Sequence, residues 1–241
     1  RKNLLAQKRA RIFPNAENNL VEAEKIAKEK GLLIAHTGDI IDFVSEKNID
    51  AARKFSSDND LFMSAGNHEF SLYVGEAKED AAYREKSLFH VQSAFDNDIR
   101  FSSRIYHGVN FVALDNSYYL VEPWQLEKLR EQAKRGYPIF LFVHTPLYSS
   151  ETYDFSLSHH GGVPVYLMSV PEEKMSGYSK ERYEQQKEDE TTHKAYEFIM
   201  SEPSIKAVFC GHIHASFEAM LTDTLPQFIA GTDTARIVSV K

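Results

Sequence analysis

The chain has 241 residues, 42% of them hydrophobic, enough apolar material for a sizeable core in one large domain. Its formal net charge of −7 excludes a broad basic field of the kind that binds nucleic acid non-specifically, so no extended nucleic-acid surface is expected. A single cysteine, Cys210, excludes an intramolecular disulfide framework and fits a reducing, cytoplasmic compartment, and no apolar run approaches the roughly 20 residues that span a bilayer.

The first dozen residues, from Arg1, are basic and polar with no strand pattern; a segment upstream is expected, which leaves targeting open. Asn15 is placed to cap a helix whose Ala16, Leu20, Ala23 and Ala27 share one face, and Gly31 to end it. Leu32 to Ala35 reads as a buried strand, Ile49 to Phe55 as a helix, Leu61 to Ser64 as a second strand and Glu76 to Phe95 as a third helical stretch. Phe101 to Tyr106 and Val109 to Leu114 flank His107-Gly108 and form a hairpin pattern. A helix over Pro123 to Ala133 precedes the apolar strand Ile139 to Val143. Pro146 to about Ser179, with Gly161-Gly162, three prolines and several tyrosines, reads as one long functional loop. Lys180 to Glu190 reads as a solvated helix face, and strands at Ile205 to Cys210, Phe217 to Leu221, Gln227 to Ala230 and Ile237 to Val240 suggest a closing antiparallel meander. Alternating helical and strand periods make this an α/β chain.

Four strand ends carry polar ligand types. They are Thr37-Gly38-Asp39-Ile40-Ile41-Asp42, Gly66-Asn67-His68-Glu69, His144, and Gly211-His212-Ile213-His214. In open α/β sheets the carboxyl ends of strands line the crevice where ligands bind, so the four segments are expected to converge. Asp, Asn and His are oxygen and nitrogen donors suited to divalent Mn, Fe, Co, Ni or Zn; with Cys210 the only thiol, an iron–sulfur or other soft-metal site is excluded. A carboxylate such as Asp39 can bridge two cations, and paired cations roughly 3.5–4 Å apart suit in-line displacement at phosphorus.

Taken together and in order, the Gly-Asp, Gly-Asn-His-Glu, His and Gly-His-x-His blocks resemble the calcineurin-like metallophosphoesterase family from about Leu33 onward. The resemblance implies a four-layer fold of two mixed β-sheets packed face to face and flanked by helices. It implies one domain over residues 1–241, lacking its first strand, with a cap-like insertion at about 146–179. It also implies that Asp39 bridges two divalent metals, that Asn67, His144 and His212 complete one, and that His214 serves the other. His68 is then the acid for the leaving oxygen, held by Asp42, and a metal-bridging hydroxide is the nucleophile attacking a small-molecule or nucleotide phosphoester.

The family's first block, Asp-x-His, does not occur before Asp39, so the second metal site is incomplete in this chain; the missing strand is expected upstream of Arg1. His36 reads as a packed strand residue, Cys210 as a core residue, and His159-His160-Gly161-Gly162 as an exposed polar loop. A protein serine/threonine phosphatase is disfavoured because the positions of its phosphate-binding arginines hold Phe43 and Ala65. The remaining alternative is a non-catalytic interaction protein that keeps the fold with a degenerate site.

Overall fold

The computed structural model describes residues 7–9, 11–73, 80–162 and 166–239. Helix α1 (Ala16–Lys30) ends at Gly31, whose positive φ of 63° lets its N–H return to the Ala27 and Lys28 carbonyls. Asn15 precedes the helix but makes no side-chain cap bond. Strand β1 (Ile34–His36) lies two residues later than the apolar run suggests and takes in His36. Helix α2 (Glu46–Asp58), capped by the Ser45 hydroxyl, leads to β2 (Leu61–Met63), which pairs parallel with β1. Helix α3 (Ala81–Gln92) is capped by Asp80 and is shorter than the expected Glu76–Phe95 stretch, of which residues 76–79 lie outside the described set.

The larger sheet has six strands in the order β3-β4-β5-β6-β8-β7. The β3 (Phe101–Tyr106) and β4 (Val109–Leu114) hairpin falls where its pattern places it, followed by α4 (Pro123–Ala133) and β5 (Ile139–Phe142). Strands β4, β5, β6 (Ile205–Cys210) and β8 (Pro226–Ile229) run parallel. The closing meander is not formed: β8 sits between β6 and β7 (Phe217–Met220), pairing parallel with one and antiparallel with the other. The reason is burial on both faces. Phe228 and Ile229 of β8 enter opposite cores, whereas Glu218 and Met220 of β7 are exposed, as an edge strand permits. Ile237 and Val238 are exposed and outside any strand, so the expected Ile237–Val240 strand is absent among the described residues.

Period-two alternation divides the sheets into layers. Phe111, Ala113, Phe140, Phe142, Ala207 and Phe209 face the β1-β2 pair, meeting Leu33, Ala35 and Phe62 in an aromatic interlayer. The opposite face of the six-stranded sheet carries Val112, Leu114, Ile139, Leu141, Val208 and Cys210 against α4 and α7 (Glu190–Ser201). Leu61 and Met63 turn the other way, onto α2 and α3. The result is a mixed α/β fold of two sheets flanked by helices.

The stretch from 146 to 179 is not a structureless loop. It holds α5 (Ser150–His159) and a 3-10 turn (Glu172–Gly177), and Leu147, Leu167, Met168 and Met175 enter the main core. The charged run after it breaks into α6 (Lys180–Gln186) and α7; the latter buries Thr192, Ala195 and Ile199, a spacing of three and four that the sequence pattern left unread.

Candidate metal centre

The parallel strands β1, β2, β5 and β6 all discharge their loops at one end of the molecule, and three close contacts lock these loops together. Gly38, with φ of 97°, passes so near the second loop that an added Cβ would lie 2.5 Å from Gly66 N. The buried Glu69 carboxylate accepts N–H bonds from Gly66 (2.6 Å), Asp39 (2.7 Å) and Ile41 (3.3 Å), tying the Gly-Asp loop to the Gly-Asn-His-Glu loop. Its burial, joined by the Asp39 charge, pushes its pKa up to about 7. From the segment after β4, Asn116 pins His144 in the third loop. Its Oδ1 accepts from the N–H groups of His144 (3.0 Å) and Thr145 (2.9 Å), and its Nδ2 donates to the Thr145 carbonyl (2.7 Å).

Within this frame three donors converge on a fourth, His144 Nε2. Asn67 Oδ1 lies 3.0 Å from it, His212 Nδ1 3.1 Å and Asp39 Oδ2 3.2 Å. The opposite ring nitrogen, Nδ1, donates to the Thr37 carbonyl at 2.7 Å, which turns Nε2 to the cluster and, in the neutral ring, leaves its lone pair there; burial disfavours the charged ring, but Asp39 outweighs it and raises the pKa. Burial, reinforced by the neighbouring His144, holds the His212 ring well below the usual imidazole range and therefore neutral, as a ligand must be. Burial works against ionisation of Asp39, but His144 and His68 outweigh it and keep the carboxylate charged.

This donor set fits a divalent cation. Ligand bonds of about 2.0–2.2 Å place donors at right angles about 3 Å apart, the spacing found here. Histidine and acid side chains alone do not form a cage among the described residues; the Asn67 amide oxygen completes the set. Cys210 contributes nothing, its thiol buried and directed to the Phe228 carbonyl.

His68 stands beside the cluster. Its N–H donates to Asp39 Oδ1 at 2.8 Å, and its ring Nδ1 lies 2.9 Å from the Asp42 carbonyl and 3.2 Å from Asp42 Oδ1. Burial disfavours the charged ring, but Asp39 and Asp42 outweigh it and raise the pKa to about 9. His214 has a different environment: its ring meets Phe13 edge-on, centroids 4.9 Å apart, and burial lowers its pKa to about 4 against the pull of Asp39. His36 accepts the Gly38 N–H at 3.2 Å, and burial lowers it to about 4, so it is a neutral strand residue.

Backbone strain gathers at the same place. Of six non-glycine residues with positive φ among those described, Asp39 (60°), His212 (66°) and His214 (57°) carry candidate ligands, and Tyr119 (70°) packs its ring against His212. Such conformations cost about 1–3 kcal/mol each and persist where surroundings over-determine them, characteristically at working sites.

Four further residues join the site. Glu69 closes the Gly-Asn-His-Glu block and Asn116 follows β4, so both lie at strand ends, the same signal that marks the other candidates. His160 is half-buried instead of lying in an exposed polar loop, and its Nε2 donates to the Ile213 carbonyl at 3.1 Å, between the two histidines. Arg9 leaves no periodic or motif trace; only folding brings it to Asp42.

No curated protein matches the chain. Among solved structures, it resembles a dimetal phosphatase from Danio rerio, 13% identical, with a TM-score of 0.51 over 89% of this chain and 77% of that one. It is also similar to the phosphopantetheinyl hydrolase of Mycobacterium tuberculosis (12% identical, TM-score 0.45, 83% of this chain and 79% of that one). A third likeness is to a 5'-nucleotidase from Candida albicans (14% identical, TM-score 0.43, 91% of this chain), of which the chain spans 41%. At these identities the first likeness speaks for the fold alone. The calcineurin-like phosphoesterase model matches residues 10–216, most of the sequence and all four strand-end segments, and the chain therefore belongs to the calcineurin-like phosphoesterase family.

Proposed function

We propose that this protein is a divalent-metal-dependent hydrolase of a small-molecule or nucleotide phosphomonoester or phosphodiester. The observation that carries this reading is the meeting of Asp39, Asn67, His144 and His212 at ligand-to-ligand spacing, with the protonated His68 beside them. Asp39, Asn67, His144 and His212 would hold one cation, and His214, together with Asp39, would serve a second. Mn, Fe, Zn, Co or Ni suits the nitrogen and oxygen donors. Bound there, a divalent cation supplies Lewis-acid polarisation of a phosphoryl oxygen and activation of water.

The protein's own part is proton handling and placement. Asp42 fixes the His68 ring through Nδ1, which leaves Nε2–H to donate to the leaving oxygen as the ester bond breaks. Asp39 orients His68 through the backbone N–H and, as a carboxylate, keeps its ring cationic. Glu69 and Asn116 hold the ligand loops in register and spare the reaction that reorganisation. Residues 146–179 serve as a cap beside the site, His160 linking that stretch to the Gly-His-x-His loop.

The test is hydrolysis of an aryl phosphate with Mn(II). His68→Ala should lower kcat by about 10²–10⁴-fold while bound metal stays at the parental level. Parental turnover in that variant would remove His68 from the reaction, and an inactive, metal-free parent protein would remove the hydrolase reading itself.

A further inference from the structure

Arg9 reaches the site from a helical stretch at residues 7–9, thirty positions ahead of the first ligand loop. One guanidinium nitrogen, Nη2, lies 2.5 Å from Asp42 Oδ1, the same oxygen that faces His68 Nδ1 at 3.2 Å. The guanidinium carbon stands 4.8 Å over the Phe13 ring, whose edge meets His214. Arg9 is thus held between the His68–Asp42 pair on one side and Phe13–His214 on the other, and its charge acts on Asp42, His68 and His214 together.

Two features separate this arginine from an ordinary ion pair. Its Nε is buried with no acceptor among the described residues, an unsatisfied donor. Yet a quarter of the side chain is exposed. The planar fork offers five N–H donors, and the salt bridge engages one nitrogen. The surrounding acid groups are already committed: Asp42 to His68 and Arg9, Asp39 to His68 and His144, and Glu69 to backbone N–H groups. An incoming tetrahedral oxyanion brings the acceptors that this fork lacks.

We propose that Arg9 is a substrate-binding residue, its guanidinium gripping a phosphoryl oxygen and orienting the group between His68 and the four converging donors. This rests on the phosphoesterase reading above and adds to it the residue that recognises the anion. No bond is made or broken by Arg9; it binds the phosphoryl group in the ground state, and its loss appears chiefly in affinity.

The experiment measures inorganic phosphate binding by calorimetry to Mn(II)-loaded parent, Arg9→Gln and Arg9→Lys, alongside KM and kcat for an aryl phosphate. A charge-assisted contact of this kind predicts phosphate affinity about tenfold to a hundredfold weaker in Arg9→Gln, with KM raised in step. Manganese content should stay equal to the parent's, and Arg9→Lys should recover part of the affinity by restoring the charge. Parental phosphate affinity and KM in Arg9→Gln would overturn the proposal, as would tighter binding, which would mark Arg9 as a plug. If the parent hydrolyses and binds phosphate while the variant matches it, Arg9 alone is misassigned; if the parent does neither, the phosphoesterase reading falls with it.

Discussion

Replacing Gly38 by alanine tests whether the two loops that carry Asp39 and Asn67 are pressed together as tightly as the geometry says. The substitution meets two penalties. At φ of 97° an L side chain is strained by about 1–3 kcal/mol. The new Cβ would also stand 2.5 Å from Gly66 N, 2.6 Å from Gly66 Cα and 2.7 Å from His144 Nδ1. Two of those atoms are backbone and cannot rotate away, so the loops must separate, at a cost of about 1–3 kcal/mol for overpacking. The sum, about 4 kcal/mol, lowers Tm by about 10 °C for a domain of this size. Gly31→Ala supplies the control: its φ is also positive, 63°, but an added Cβ meets nothing within 4 Å, so only the strain applies. Calorimetric or circular-dichroism melts of the two variants, with Mn(II) content by mass spectrometry, give the answer. Gly38→Ala should melt well below Gly31→Ala and bind less manganese. Equal melting of the two variants with full metal content would show that the loops are not in contact and would refute the assembled centre.

Asn116→Ala removes the acceptor of two buried N–H groups at His144 and Thr145, and urea unfolding should show a loss of about 3 kcal/mol together with weaker metal retention. A midpoint within error of the parent's would mean that Asn116 does not hold His144. The metal-free protein should also show a pH signature of His68. Its folded pKa, about 9, exceeds the ordinary 6.5, so the protonated ring stabilises the fold fully below pH 6.5 and that contribution fades as pH rises through 9. At 1.36 kcal/mol per pKa unit the contribution is at most about 3 kcal/mol. Stability of the parent relative to His68→Asn should accordingly be larger at pH 6 than at pH 10, and a difference that does not change with pH would contradict the pairing with Asp39 and Asp42.

The strand-end motifs were legible because each candidate ligand sits one to four residues past an apolar run, and apolar runs report burial directly. Asp39, Asn67, His144 and His212 come from loops separated by up to 173 residues, yet each was readable locally. The hairpin β3-β4 and helices α1 and α4 were equally readable, since turn residues, a terminal glycine and an N-terminal proline act within a few positions. Elements whose identity depends on partners were not. Strand β8 takes its place between β6 and β7 because Ile229 is buried in one core and Phe228 packs against the other, a fact about neighbours and not about the segment.

The same division runs through the site. Sequence by itself determined the donor types, their order and their position at strand ends, because residue chemistry and hydrophobic period are local properties. Tertiary structure alone decided that Glu69 clamps two loops, that Asn116 and the Thr37 carbonyl fix the face and tautomer of His144, and that Arg9 arrives at Asp42. It also decided that the His214 ring meets Phe13. The contacts between segments reach across 28 to 201 residues, set by how sheets and helices pack, and no spacing along the chain encodes them.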